Sequence, residues 1–326
     1  MAAPNRLHGL DALRGIAALC VVGLHARAIF PHYPDWFGKG YLGVDFFLML
    51  SGYLMARITE PRLAAGISSG TFLTARYKRF WPTVAFGSLI GIPYLWVRTQ
   101  GDPLWFASAL GANMALLPFP ADRLIFPLNV PVWTIFAELM ANAVHVLLLR
   151  RLGLRPLAVL ALVLLAATVW VGTTYGSLDV GARPSTMLYG VPRVFFAYVL
   201  GMLLWRWKGD AELAPVPGWL ALVAMPAAIL TAWAMGWRGW QFDIAFVLAI
   251  CPMVIAGALR IARETALGRF SGDISFPLFA VHVPVLEAVR MAGYGVTLGV
   301  PLAFVVAFGY LWWTNWRRRI RQLKPA

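Results

Sequence analysis

The feature that most constrains this chain is a series of apolar segments, each close to a bilayer thickness in length, separated by short polar connections. A helix needs about 20 apolar residues to cross the hydrocarbon core of a membrane. Only 13% of the 326 residues are charged and 60% are hydrophobic, whereas a soluble domain carries about 25% charged residues. The pattern predicts an all-α, polytopic membrane helical bundle.

We predict about ten transmembrane helices. One further apolar stretch, residues 103–119, is predicted to be re-entrant or interfacial. No internal repeat interrupts the series, so residues 1–326 are predicted to form a single transmembrane domain with no appended soluble domain. The predicted spans lie near residues 10–30, 41–58, 81–97, 132–149, 156–172, 188–205, 217–235, 240–259, 276–291 and 296–314.

The basic residues predict the orientation of these spans. With the N-terminus inside, 19 Lys and Arg fall in inner segments and 6 in outer segments, and Lys and Arg favour the cytoplasmic side. Both termini are therefore predicted to be cytoplasmic, in a bacterial inner membrane. The net charge of +14 is explained by this role and does not indicate nucleic acid. Cys20 and Cys251 lie within apolar segments and predict neither a disulfide nor a metal site.

Ionisable residues within spans are costly and are functional candidates by default. At 1.5 Å of rise per residue, His25, Asp45 and Glu138 lie roughly 7, 6 and 9 Å below the outer ends of their predicted spans. A nearby carboxylate raises the basicity of a histidine and can fix its tautomer. We predict that these residues form a catalytic group. The alternative is three polar residues, each paired locally.

A second set of candidates is predicted to lie towards the cytoplasm. Arg14 shares the first span with His25 and sits roughly 16.5 Å below it, while Arg76 and Arg79 precede the third span. His282 is predicted to lie roughly 9 Å above the inner end of the ninth span. Arginine holds phosphate through a planar fork, so this set is a candidate site for an anionic donor. Snorkelling of Arg14 and a purely topological role for Arg76 and Arg79 are the alternatives.

Five segments, in order along the chain, together resemble the acyltransferase 3 family. They are GLDALRG at residues 9–15 followed by His25, GVDFFLMLSGYL at 43–54, FLTARYKRFWP at 72–82, VWTIFAEL at 132–139 and FPLFAVHVP at 276–284. The segment of residues 150–270 matches only in hydropathy. The chain departs from the family pattern at Tyr53, where Phe is commoner, and at Thr134, where Ser is usual. We also expect it to be without the family's optional C-terminal esterase-like domain.

The resemblance implies transfer of an acyl group, usually acetyl, from cytoplasmic acyl-CoA to a sugar hydroxyl. The acceptor would be an extracytoplasmic or lipid-linked glycan, and acetyl-CoA would be a co-substrate rather than a permanently bound cofactor. By the same resemblance, Arg14 and His25 match the pair held essential in the family. Arg76 and Arg79 match its Arg-x-x-Arg motif, and Glu138 matches its fourth-span glutamate.

Two mechanistic hypotheses follow. In the first, His25 is the general base for the acceptor hydroxyl, oriented by Glu138 or Asp45, with an acyl-histidine intermediate as the variant. In the second, the chain is a proton-coupled exporter that uses His25, Asp45 and Glu138 as a relay. Transporters of that kind favour inverted repeats, and none is found in the sequence.

Overall fold

The protein is an all-helical bundle, as the sequence predicts. The structure, a computed structural model, describes residues 7–209 and 215–323, and within these ranges it contains no β-strand. Arg6 and Lys324, which were counted for the topology, lie outside the described residues. The helices are α1 His8–Ile29, α2 Leu42–Leu54, α3 Glu60–Ala64, α4 Ser69–Ile90, α5 Ile92–Arg98, α6 Pro103–Met114, α7 Val132–Leu147, α8 Leu154–Tyr175, α9 Met187–Lys208, α10 Gly218–Ala234, α11 Trp240–Ala245, α12 Cys251–Leu259, α13 Ala266–Met291 and α14 Val296–Leu323.

Each predicted span corresponds to a helical segment. Among the described residues, seven segments are long and apolar enough to cross a membrane, and α4 with α5 forms an eighth, bent by 54°. The predicted fourth and seventh spans correspond to the shorter apolar helices α7 and α10. A π-helical turn, Met55–Thr59, joins α2 to α3, and a second, Phe246–Ile250, joins α11 to α12. The chain is therefore a multi-pass membrane protein.

The third span starts earlier than predicted. Helix α4 begins at Ser69, where the Ser68 hydroxyl caps it by accepting a hydrogen bond from the Thr71 backbone at 3.1 Å. The basic turn of residues 76–79 is therefore inside the helix and does not precede it. Hydropathy placed the start at residue 81 because these charged side chains interrupt the apolar run.

The segment after α5 folds back into the bundle. The Trp81 indole donates a hydrogen bond of 2.8 Å to the carbonyl of Met114, the last residue of α6. Trp81 itself lies roughly 14 Å along α4 before the end of that helix at Ile90. The chain then returns through residues 116–131, where the buried Asn129 side chain donates to the Ala280 carbonyl at 2.8 Å. This path has the form of a re-entrant segment, one of the two predicted possibilities, and it makes α7 begin inside the bundle.

Small residues allow two helix pairs to pack closely, as is common between membrane helices. A β-carbon at Gly15 would overlap the Ser271 side chain, and one at Gly272 would meet Asp11, so α1 and α13 are in direct backbone proximity. A β-carbon at Gly201 would overlap the Met49 carbonyl oxygen, which brings α9 equally close to α2. These two pairs hold the helices that carry the candidate site.

Candidate active site

A cavity of about 380 Å³ opens among α1, α2, α4, α7 and α13. Its wall includes the π-helical turn after α2, and such turns occur frequently at functional sites. Most of the lining is apolar, but five charged side chains face it. They are Arg14, Arg62, Arg76, Arg79 and Glu138.

The structure brings Arg14, Arg76 and Arg79 to one cavity, which agrees with the predicted inner cationic set. Arg14 also lies 3.5 Å from the Asp11 carboxylate, one turn away on α1. Arg62 joins these arginines, although the sequence analysis counted it only as a topological charge. Its position on the short helix α3, directly after the second span, is the sequence feature that could have placed it near the cavity. With the predicted topology, the cavity lies towards the cytoplasm.

Glu138 does not contact His25, contrary to the predicted outer group. Its carboxylate accepts hydrogen bonds from the Arg76 guanidinium at 2.6 Å and from the Ser51 hydroxyl at 2.9 Å, inside the cavity. The depth prediction failed because α7 begins beside the middle of α13, where Asn129 in the preceding segment reaches Ala280. Counting residues from the start of α7 therefore placed Glu138 too far out.

Asp45 also lies apart from His25. It is fully buried and forms a bidentate ion pair with Arg193, with oxygen–nitrogen distances of 2.7 and 2.9 Å. The Arg193 guanidinium also donates to the carbonyls of Tyr41 at 2.9 Å and Leu178 at 2.5 Å. Asp45 is thus committed to a structural pair. Arg193 lies within the predicted span at residues 188–205, and the cost of an unpaired intramembrane charge is the sequence signal that it needs a partner such as Asp45.

The partner of His25 is His282. Nε2 of His282 lies 3.1 Å from Nδ1 of His25, and the two ring centroids are 5.0 Å apart. The prediction that His282 lies at the level of the inner arginines is wrong, because α13 begins at Ala266 rather than near residue 276. His282 is therefore roughly 24 Å from the start of α13, where parallel packing brings it level with His25.

Aromatic side chains connect the cavity to the histidine pair. Phe279 lines the cavity, and its ring centroid lies 5.9 Å from that of His282. Phe47, also in the cavity wall, lies 5.9 Å from Phe279 by the same measure. His282 itself is fully buried, whereas His25 is half-buried. The arrangement is an arginine-lined cavity whose apolar end adjoins a pair of hydrogen-bonded imidazoles.

Within residues 7–209 and 215–323, no group of three or more His, Cys, Asp or Glu side chains could hold a metal ion. The cation-lined cavity and the imidazole pair suit anion binding together with proton transfer. These are the two requirements for moving an acyl group from a phosphorylated carrier to a hydroxyl.

Comparison with known proteins gives matches over most of the chain. Protein 2 in the picA locus of Rhizobium radiobacter is 32% identical over 160 residues, which cover 44% of this chain and 82% of that protein. The exopolysaccharide production protein ExoZ of Rhizobium meliloti (strain 1021) is 24% identical over 288 residues, covering 83% of this chain and 84% of ExoZ.

A shorter match joins the chain to the O-acetyltransferase OatA of Staphylococcus aureus (strain NCTC 8325 / PS 47). It is 36% identical over 88 residues, covering 26% of this chain and 14% of OatA. No solved structure matches the chain. The profile of the family Acyl_transf_3, described as "Acyltransferase domain", matches residues 7–316. The chain therefore belongs to this acyltransferase family.

Proposed function

We propose that the protein transfers an acyl group, in the first instance acetyl, from cytoplasmic acyl-CoA to a hydroxyl of an extracytoplasmic or lipid-linked glycan. The observation that carries this proposal is that the arginine-lined cavity adjoins the His25–His282 pair through Phe279, which lines the cavity and packs against His282. The printed names of OatA, an O-acetyltransferase, and ExoZ, an exopolysaccharide production protein, support acetyl as the group and a polysaccharide as the acceptor.

In the proposed donor site, the arginines hold the phosphates of the coenzyme. Arginine presents two parallel N–H donors that match phosphate oxygens, and four arginines face one cavity. The ion pair with Glu138 holds Arg76 in place, and the Arg76 guanidinium also lies 5.1 Å above the Phe80 ring. The long arm of the coenzyme would follow the apolar lining towards Phe279, which brings the thioester near the histidines.

The proposed chemistry is a displacement at the thioester carbon. The acceptor hydroxyl oxygen forms the new ester bond, the carbon–sulfur bond breaks, and His25 takes the hydroxyl proton as general base. The coenzyme leaves as thiolate and takes the proton from the His25 imidazolium to give the free thiol. In the two-step variant, a carbon–nitrogen bond to His25 forms as the carbon–sulfur bond breaks, and the acceptor hydroxyl then displaces His25 from this acyl-histidine to form the ester.

The rival hypothesis of a proton relay through His25, Asp45 and Glu138 is disfavoured by the geometry. A relay requires its members to be joined by hydrogen bonds. Here each carboxylate is bonded to an arginine, Asp45 to Arg193 and Glu138 to Arg76. The ring nitrogen contacts of His25 are to the Val21 carbonyl and to His282.

The donor site is tested by replacing its arginines. We expect Arg76→Ala and Arg79→Ala each to raise the KM for acetyl-CoA about tenfold or more, since a hydrogen bond to a charged group contributes about 1.5–3 kcal/mol. Arg76→Lys should restore only part of the loss because the planar fork is absent. The measurement is acetyl transfer by purified protein over a range of acetyl-CoA concentrations.

The matched control is Arg155→Ala, which removes an exposed arginine at the start of α8, outside the cavity lining. This variant should leave the KM unchanged. If the Arg76 and Arg79 variants bind acetyl-CoA as the wild type does, these arginines serve only the topology and the proposed donor site is wrong.

A further inference from the structure

The hydrogen-bond partners of His282 determine where its proton lies. Its Nδ1 faces two backbone carbonyl oxygens one helical turn back, Leu278 at 3.1 Å and Phe279 at 2.9 Å. Carbonyl oxygens only accept hydrogen bonds, so Nδ1 of His282 carries hydrogen. In a neutral imidazole the other nitrogen is then an acceptor, and Nε2 of His282 therefore presents a lone pair to His25.

The same reasoning then determines the proton of His25. Its Nδ1 lies 3.0 Å from the Val21 carbonyl oxygen and 3.1 Å from Nε2 of His282. Both partners are acceptors, so Nδ1 of His25 carries hydrogen and shares it between them. The lone pair of neutral His25 is left on Nε2. The tautomers of both rings thus follow from three carbonyl groups on two helices.

We propose that His282 is a positioning residue that holds His25 in the tautomer whose Nε2 is the catalytic base. When Nε2 takes the acceptor's proton, the Nδ1–H of the resulting imidazolium already donates to His282, which stabilises the charge. This inference rests on the proposed function, in which His25 is the base. It assigns His282 a role other than contact with the coenzyme.

Burial divides the roles between the two histidines. His282 is 0% exposed, so substrate cannot reach its ring. His25 is half-buried and accessible. The pair is held rigidly because Gly15 and Gly272 allow α1 and α13 to pack closely.

In the triads of soluble hydrolases the group that orients the histidine is a carboxylate. A neutral imidazole can accept the same hydrogen bond without the cost of an ionised carboxylate in the membrane interior. The carboxylates that the sequence analysis placed beside His25, Asp45 and Glu138, are paired with arginines instead. A histidine as the group that orients His25 is therefore consistent with a site inside a membrane helix bundle.

Two substitutions at His282 separate positioning from packing. In His282→Gln, the side-chain carbonyl can reach the place of Nε2 and accept the hydrogen bond from His25. In His282→Asn, the shorter side chain can replace only Nδ1, which leaves the Val21 carbonyl as the one remaining acceptor named for Nδ1 of His25. We expect His282→Gln to keep kcat within about tenfold of wild type. We expect His282→Asn to lower kcat by about two orders of magnitude, the lower end of what a positioned general base contributes, because the His25 imidazolium loses the imidazole acceptor that stabilises it. The KM for acetyl-CoA should stay unchanged in both.

Activities are compared per molecule of folded, membrane-inserted protein. A role in packing alone predicts that both variants accumulate poorly and that the surviving molecules have normal kcat. A folded His282→Asn variant with wild-type kcat would overturn the proposal.

The tautomer is also measurable without any enzymatic assay. Nitrogen-15 NMR of labelled wild-type protein should show His25 protonated at Nδ1 and unprotonated at Nε2. A spectrum with the proton of His25 on Nε2 would overturn the proposal, even if the substituted proteins do not fold. If the spectrum is as expected but wild-type protein transfers no acetyl, the proposed function fails while the geometric assignment stands.

Discussion

Replacing His25 with glutamine is expected to lower acyl transfer by two to four orders of magnitude while the protein still inserts and accumulates. A positioned general base contributes about 10²–10⁴-fold to the rate. Glutamine retains much of the shape of the imidazole and can still donate a hydrogen bond, but it has no basic nitrogen. Binding of acetyl-CoA should survive, because Arg14 in the donor cavity lies roughly 16.5 Å from His25 along α1.

The test measures acetyl transfer per molecule of inserted protein together with the affinity for acetyl-CoA. The control is Arg27→Gln, two residues after His25 on α1. The Arg27 guanidinium contacts the Pro31 carbonyl rather than either histidine. This control should transfer acetyl at close to the wild-type rate. An active His25→Gln enzyme would show that His25 is not the catalytic base. If the variant accumulates poorly but each inserted molecule has normal activity, the role of His25 is structural.

Replacing Arg193 with leucine is expected to unfold the protein or prevent its accumulation. Arg193 is 1% exposed and binds both carboxylate oxygens of Asp45, together with three backbone carbonyls from Tyr41, Leu178 and Val180. Its loss leaves Asp45 as an uncompensated buried charge, which typically costs about 3–5 kcal/mol. That is a large part of the roughly 5–15 kcal/mol by which proteins are stable.

The matched control is Arg290→Leu. Arg290 pairs with Glu287 at 2.8 Å, but its side chain is 46% exposed, and exposed pairs contribute only about 0–1 kcal/mol. Thermal unfolding in detergent should separate the two variants clearly. Pairing Arg193→Leu with Asp45→Leu should recover part of the stability, since replacing a whole buried ion pair by apolar groups costs less than breaking it. Equal stability of the two single variants would show that the Asp45–Arg193 pair is not structural.

Hydropathy was sufficient to predict the bundle, because lipid requires long apolar helices and excludes other exposed backbone. The same rule misplaced the starts of helices whose first turns carry charged side chains. Arg269 and Asp273 lie in the first turns of α13, so the apolar run starts late and the helix start was placed ten residues beyond Ala266. The resulting depth for His282 was wrong for that reason.

Pairing between helices could be predicted only in part. Arg14, Arg76 and Arg79 line one cavity, as they were grouped from their cationic character and predicted depth, and the anion site they suggest stays a prediction. Depth along a helix does not say which neighbour a side chain meets, so Asp45 was assigned to His25 although it bonds to Arg193. Lateral helix order is determined by close contacts such as that of Gly201 with Met49, and a single sequence does not display these.

The most direct measurement uses purified protein, labelled acetyl-CoA and envelope glycan from a strain that lacks this protein. It measures the transfer of labelled acetyl from the coenzyme to the glycan. Glycan from such a strain contains the acceptor hydroxyl in its unmodified form, whatever its identity. We predict that wild-type protein places alkali-labile acetate on this glycan and releases free coenzyme thiol, and that His25→Gln protein does neither. Folded wild-type protein that leaves the glycan unlabelled, or labels it no more than the His25→Gln variant, would contradict the proposed function.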